Sequence, residues 1–201
     1  MRSIDTSVGW TFFLFSGFGL LVGVAVSFFD IRYRRIPNWV ILIGLAIAFI
    51  WHSFAPPGAW AFDRLNGGAV GLLGSVAAGS LLLVVFLPFW LMRLLGAGDV
   101  KLLVLVGATF GNSPGHWSHL PMTILYIAVA GGVLVLASVL LTGRLSLLLS
   151  NMKLILMMVL SRAQGVEGPV FDAKTDTAVR LPYGVAIVAG ATAFVLSERF
   201  F

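Results

Sequence analysis

The chain has no cysteine, only eight acidic residues and only three histidines among its 201 residues. Without cysteine there can be no disulfide bonds, no thiolate metal site and no cysteine nucleophile. Charged residues make up 10% of the chain and hydrophobic residues 59%. A soluble domain of this length needs a largely polar exterior, which this composition does not supply. The sequence therefore predicts an integral membrane protein with a single domain over residues 1–201.

Six apolar segments have the composition of membrane-spanning helices, which need roughly 20 apolar residues. They are Val8–Phe29, Trp39–Phe54, Gly67–Met92, Val100–Phe110, Pro121–Leu141 and Leu181–Leu196. A further apolar segment, Leu145–Leu160, carries Ser146, Ser150 and Lys153 on one helical face, as an interfacial amphipathic helix does. The predicted fold is an all-α membrane protein with about six transmembrane helices plus one cytoplasmic interfacial helix.

The basic residues predict the orientation of these helices. Ten of the thirteen fall in three alternate loops, Asp30–Asn38, Arg93–Lys101 and Gly143–Arg180. Cytoplasmic loops are enriched in Lys and Arg, so these three loops are placed in the cytoplasm. The net charge of +5 is explained by topology, and we expect a lipid bilayer rather than nucleic acid as the partner. All three histidines fall on the opposite side, and no metal site is expected.

Two aspartates lie at the ends of apolar segments on the predicted cytoplasmic face. Asp30 follows the first span, and Asp99 follows Gly96-Ala97-Gly98 and precedes the fourth. A carboxylate at a membrane boundary is energetically expensive and therefore marks a candidate functional site. Two carboxyls that share a proton can hydrolyse a peptide bond, one activating water and the other polarising the carbonyl. Asp30 and Asp99 are thus the predicted catalytic pair, with no cofactor.

The helix termini predict how the two aspartates divide these roles. Asp99 opens a helix, where free N–H groups and the helix dipole favour an anion. Asp30 closes a helix, where the dipole disfavours one. We therefore expect Asp99 to be the ionised member and Asp30 to carry the proton in the resting enzyme.

The fourth span, Val100–Phe110, is too short to cross a membrane. Its length is about 16 Å, whereas the hydrocarbon core is about 30 Å thick. Either the helix continues into Gly111–Gly115, or it begins in a water-accessible recess. Non-helical backbone at membrane depth requires such a cavity or a protein lining.

Three segments together resemble the type IV prepilin peptidases, which are bacterial inner-membrane aspartyl proteases. They are Asp30-Ile-Arg-Tyr-Arg-Arg-Ile-Pro-Asn38, Gly96-Ala-Gly-Asp99-Val-Lys101 and Leu181-Pro-Tyr-Gly-Val-Ala186. The resemblance implies that Asp30 and Asp99 are catalytic. It also implies a multi-pass inner-membrane protein that cuts prepilins and pseudopilins on the cytoplasmic side, after the small residue ending a short basic leader. The chain is most similar to the short form associated with Flp/tight-adherence pili. It has no cysteine and only Ile31–Asn38 before the second span, so methyltransferase activity and S-adenosylmethionine are not expected.

The matched segments also contain residues predicted to support the site or contact substrate: Pro37, Asn38, Gly96, Gly98, Lys101, Pro182, Tyr183 and Gly184. Pro37 can occupy the first turn of the second helix. Asn38 is expected to bond loop backbone or substrate, and Tyr183 to pack or touch substrate. Lys101 is two positions past Asp99, so it points elsewhere and is expected to anchor the interface. The two glycines before Asp99 allow a tight turn.

Two other functions could use a pair of membrane aspartates. A presenilin-type intramembrane protease shares Gly-x-Gly-Asp, but its other aspartate typically follows a tyrosine, whereas Asp30 follows Phe29. A transporter or channel would use the aspartates as a proton or cation relay. It predicts carboxylates near the bilayer midplane and interrupted helices in two related halves, and no internal repeat is visible.

Overall fold

The computed structural model describes residues 6–54, 71–91, 95–111, 119–143 and 183–200, and the single positions 146, 149, 150, 153 and 157. Regular structure in these residues is entirely α-helical. The helices are α1 (Thr6–Tyr33), α2 (Asn38–Phe54), α3 (Gly71–Leu91), α4 (Ala97–Phe110), α5 (His119–Thr142) and α6 (Tyr183–Phe200). Each coincides with one of the six predicted spans. The prediction of an all-α fold is therefore confirmed for the described residues. Pro182, a predicted site residue, and Gly67, the predicted start of the third span, lie outside the described residues.

Two of these helices are long and apolar enough to cross a membrane, namely Gly71–Leu91 and Leu120–Thr142. Both present large apolar side chains on the protein surface, for example Leu73, which is 85% exposed, and Val133. Lipid is the solvent that such faces require. These two helices support a membrane protein, and the count of six crossings stays a prediction.

The chain divides into two compact units, residues 1–131 with 182–201, and residues 132–181. The first contains α1 to α4, the first half of α5 as far as Gly131, and α6. In the second, α5 ends before Gly143, which has φ +66°. Ser146, Leu149, Ser150, Lys153 and Met157 are helical and exposed in that unit. The rest of the predicted interfacial helix lies outside the described residues, and the single-domain prediction stays untested.

Helix α4 forms the centre of the first unit. Half of its 14 residues are buried, and α2, α3 and α6 all pack against it. The core combines α4 with residues from α1, α2, α5 and α6: Val26, Val40, Ile41, Leu102, Leu103, Leu105, Ile127 and Ile187. A second cluster at the far end of α4 is built on Phe110, whose ring packs edge-to-face against Phe194 at 5.9 Å. This arrangement fixes the axis of the helix that carries Asp99.

Small residues allow α3 and α4 to approach closely. Gly74, Ser75, Ala78 and Gly79 are buried along α3. A Cβ atom at Gly107 of α4 would stand only 2.8 Å from the Ala78 carbonyl oxygen. These small residues let the backbones of α3 and α4 come into direct contact.

Helix α4 is too short to span a membrane. It begins at Ala97, and Gly111, with φ +64°, ends it by donating its N–H to the Gly107 carbonyl at 2.8 Å. The alternative that the helix continues into Gly111–Gly115 is therefore wrong. Fourteen residues span about 21 Å, still less than the ~30 Å hydrocarbon core.

Neighbouring helices cap the carbonyls at the end of α4. Ser75 Oγ on α3 donates to the Ala108 carbonyl at 2.6 Å. His52 Nε2 on α2 donates to the Thr109 carbonyl at 3.0 Å. The last carbonyls of a helix lack partners within it, and an unpaired carbonyl in an apolar setting is unfavourable. These contacts let α4 end among apolar helices without water.

Candidate active site

Asp30 lies on the buried face of α1, one turn after Val26, and is only 7% exposed. Its Oδ2 accepts the backbone N–H of Gly184 at 2.7 Å. Gly184 is the second residue of α6, and the first four N–H groups of a helix have no partner inside it. The start of α6 thus provides a donor for a carboxylate 154 positions away in sequence.

The contact between α6 and Asp30 requires glycine at position 184. A Cβ atom there would stand 2.7 Å from Asp30 Oδ2 and 3.2 Å from its Cγ. Ordinary contacts to a Cβ atom begin near 3.4 Å. A side chain at this position would therefore displace the carboxylate from the N–H group that binds it.

Asp99 lies in the first turn of α4 and caps the helix. Its Oδ2 accepts the backbone N–H of Gly96 at 3.3 Å. Gly96 precedes the helix in an extended conformation, and Gly98 is already helical. The predicted glycine turn before Asp99 is therefore mostly the first turn of α4. A Cβ atom at Gly96 would stand 2.9 Å from Asp99 Oδ2, so this glycine also makes room for a carboxylate.

The two carboxyls influence each other electrostatically. Both lie beyond the ends of the predicted apolar spans. Burial raises the pKa of Asp99 to about 6, the negative charge of Asp30 adds to the increase, and the Gly96 N–H opposes it. Burial also raises the pKa of Asp30, but the N–H groups of Gly184 and Val185 and the charge of Arg34 oppose that increase.

The surroundings of the two carboxyls favour a charge on Asp30 and a proton on Asp99. The helix termini alone led to the opposite expectation. Asp30 accepts hydrogen bonds that stabilise its charged form, and it has a cationic neighbour, Arg34. Asp99 has one long hydrogen bond and the repulsion of Asp30. The expectation considered each carboxylate only with its own helix, whereas Asp30 also lies at the start of another one, α6.

The segment between α1 and α2 turns sharply at Arg34. Arg34 has φ +50°, and its N–H donates to the Asp30 carbonyl at 3.0 Å. This left-handed residue ends α1 directly after the turn that bears Asp30. Pro37 lies immediately before α2 rather than inside its first turn, and its carbonyl accepts the N–H of Val40 at 3.2 Å. Ile36, just before Pro37, was not singled out from the sequence, although it lies within the matched segment.

Lys101 bonds to Asn38 across the starts of α4 and α2. Lys101 Nζ donates to Asn38 Oδ1 at 2.8 Å, and both residues are exposed. Asn38 was expected to bond loop backbone or substrate, and its partner is instead a side chain 63 positions away. The bond joins the two matched segments that carry the aspartates.

Tyr183 is the first residue of α6 and packs against α5. A Cβ atom at Gly131 would stand 2.9 Å from both Cε2 and Oη of Tyr183, so the ring covers this glycine. Tyr183 is also within electrostatic range of Asp99. The structure thus brings Tyr183, Gly184 and both aspartates into one region. Within the described part of the chain, no three His, Asp or Glu side chains are grouped as a metal site requires.

Comparison with known families gives one match. The model of a family described as the type IV leader peptidase family matches residues 14–136. The matched region includes Asp30, Asn38, Asp99 and Lys101 and ends before α6. No curated protein and no solved structure matches the chain significantly.

Proposed function

The chain belongs to the type IV leader peptidase family, and from this premise we propose that it is a membrane aspartyl endopeptidase. Its substrates are prepilins and related pseudopilins, whose short basic leader it removes. Asp30 and Asp99 are the catalytic pair, and a water molecule is the nucleophile. The protein is a multi-pass component of the bacterial inner membrane.

One observation carries this proposal. A buried carboxylate, Asp30, accepts the N–H of Gly184 at 2.7 Å, while burial and then the charge of Asp30 raise the pKa of a second carboxyl, Asp99, to about 6. Such a pair holds one proton between two acids below about pH 6, because two like charges at close range do not both ionise easily. One ionised and one protonated carboxyl is the state that peptide hydrolysis needs.

The proposed mechanism gives each acid a role. Asp30, whose ionised form is stabilised by the N–H groups at the start of α6, takes a proton from water as the water oxygen attacks the scissile carbonyl carbon. Asp99, protonated, donates its proton to the carbonyl oxygen, and a tetrahedral diol forms. Asp30 then passes the proton taken from water to the leaving nitrogen as the C–N bond breaks. Asp99 recovers its proton from the diol as the carbonyl re-forms, which returns both acids to their starting states.

The active site faces the cytoplasm in this proposal. Three basic residues, Arg32, Arg34 and Arg35, follow Asp30 directly, and such residues are enriched on the cytoplasmic side. Because α4 is about 21 Å long, it does not cross the hydrocarbon core. Its start, with Asp99, therefore either reaches the cytoplasmic surface or lies in a recess open to it. Cysteine-accessibility labelling across residues 95–100 distinguishes a water-filled recess from a segment sealed by lipid.

The decisive experiment is co-expression with a candidate prepilin. Asp30→Asn and Asp99→Asn are each expected to abolish leader cleavage, measured as the mobility shift of the pilin. Asp63→Asn, in the predicted external loop, is the matched control and should cleave like wild type. Full cleavage by either active-site variant would refute the proposed mechanism. Ion flux through proteoliposomes without cleavage would favour the relay instead.

A further inference from the structure

Ile36 occupies the space between the starts of α4 and α6. At Gly98, a Cβ atom would be 3.6 Å from Cβ, Cγ1 and Cδ1 of Ile36. At Gly184, a Cβ atom would be 3.3 Å from Ile36 Cδ1. The side chain is partly buried and packs against the central core cluster. One isoleucine therefore touches both helix starts that define the site.

These two helix starts determine where the carboxyls lie. Gly98 directly precedes Asp99 in the first turn of α4. The N–H of Gly184 binds Asp30 Oδ2, and Ile36 Cδ1 lies beside the same glycine. Ile36 and Asp30 thus border one small space. An apolar side chain in that position leaves less room for water near the acids, and burial is the main reason that their charged forms are disfavoured.

We propose that Ile36 is a positioning residue: wedged between Gly98 and Gly184, it sets the spacing of the two helix starts and excludes water from beside the aspartates. This inference rests on the proposed function of the pair. Ile36 itself does not touch the reacting atoms. It acts through the positions of Asp99 and of the N–H that holds Asp30.

Several charged and titratable groups surround the pair in the described residues. Asp30 from α1 and Tyr183 from α6 both interact with Asp99, and Arg34 at the end of α1 interacts with Asp30. Lys101, on the same helix as Asp99, bonds to Asn38. All of them are retained when Ile36 is replaced. A shift in the titration of Asp99 in such a variant therefore reports water entry and spacing.

The test uses the full-length protein in proteoliposomes with a prepilin substrate. Cleavage rates are measured from pH 5 to pH 9 for Ile36→Ala and Ile36→Val, and for Ile43→Ala as a matched control. Ile43 lies on α2 and is 47% exposed. Carboxyl titration is followed in parallel by ¹³C NMR of aspartate-labelled protein in micelles, with Asp99→Asn to assign the signal.

Ile36→Ala is expected to reduce the cleavage rate roughly 10- to 100-fold, the size seen when reacting groups are misplaced by about 1 Å. Water entry and wider spacing both lower the pKa of Asp99, so the falling limb of the pH–rate profile should move to lower pH. Ile36→Val keeps the Cβ and Cγ1 atoms that face Gly98 and loses only Cδ1, which faces both glycines. It should therefore show a smaller shift in the same direction. Ile43→Ala should behave like wild type.

The outcomes separate this inference from the proposed function. A lower rate with an unchanged pH profile and unchanged titration in both Ile36 variants would overturn the positioning role. If Ile36→Ala fails to fold, Ile36→Val alone decides the point by the same criterion. Titration that shifts in the Ile36 variants while Asp30→Asn still cleaves would support the positioning role and refute the catalytic pair.

Discussion

Replacing Gly184 with alanine is expected to disable the enzyme while leaving its fold intact. The added methyl group would stand 2.7 Å from Asp30 Oδ2, about 0.7 Å inside the limit of an ordinary contact. The atom that the added methyl group meets belongs to the Asp30 carboxylate, which can rotate about its side-chain bonds, so the backbone need not move. The carboxylate instead leaves the Gly184 N–H, to which it is now bonded at 2.7 Å.

The magnitude follows from the lost hydrogen bond. A hydrogen bond to a charged group contributes about 1.5–3 kcal/mol, and each 1.4 kcal/mol is a factor of ten in rate. Gly184→Ala should therefore reduce kcat/KM roughly 10- to 150-fold. The lost bond stabilised the ionised form of Asp30, so its pKa should rise and the acidic limb of the pH–rate profile should move to higher pH.

Leader cleavage by purified protein in proteoliposomes measures this effect, and thermal unfolding in micelles monitors the fold. Gly132→Ala is the matched control, since Gly132 is helical and no atom lies near its added Cβ. Gly132→Ala should retain or gain thermal stability, because alanine favours helix over glycine by about 1 kcal/mol. Gly184→Ala should still unfold cooperatively, with the loss of a hydrogen bond of about 1.5–3 kcal/mol set against that gain. Wild-type cleavage by Gly184→Ala, with an unshifted acidic limb, would refute the idea that α6 holds Asp30 for catalysis.

Three further predictions concern stability and helix contacts. Ser75→Ala should lower the unfolding free energy by about 1–3 kcal/mol, because it leaves the buried Ala108 carbonyl without its donor; thermal unfolding equal to wild type would contradict this. Asp99→Asn should unfold at higher temperature than wild type at pH 7, because the folded-state pKa of about 6 exceeds the ordinary 3.8. As far as this group is concerned, the free energy of unfolding of wild type is highest below pH 4 and falls by up to about 3 kcal/mol as the pH rises through 6. Urea titrations at pH 4 and pH 7 should show no such fall for Asp99→Asn. Lys101→Met should cost less than about 1 kcal/mol, since its bond to Asn38 is exposed, and a double-mutant cycle with Asn38→Ala should show the two changes to be non-additive.

The local features of the chain were predictable from the sequence. Apolar length and flanking charge placed six helices within a few residues of those observed, and α4 was recognised as too short to span a bilayer. The small-residue face of α3 is also visible in the sequence, because glycine and alanine at helical spacing permit close packing whatever the partner is. These features depend on composition and periodicity, which a single sequence contains.

Contacts between distant segments were not predictable in the same way. The bond between Lys101 and Asn38 joins two helix starts 63 positions apart, and neither residue type specifies the other. Ser75 and His52 cap the end of α4, yet from the sequence they are only polar residues in apolar segments. Ile36 looks like an ordinary apolar residue until Gly98 and Gly184 are seen on either side of it. Each of these roles depends on which helices are neighbours.

The position of the proton on one or the other aspartate also depends on which helices are neighbours. The helix-dipole argument was physically sound, since free N–H groups at a helix start do stabilise an anion. It was applied to the helix that contains each residue, and on that basis Asp99 should be the anion. In three dimensions, the N–H groups of Gly184 and Val185 at the start of α6 act on Asp30, and Asp99 is left with the Gly96 N–H and the repulsion of its neighbour. In the proposed mechanism the resting proton is therefore on Asp99, and α6, which lies beyond the matched family region, determines which acid activates water.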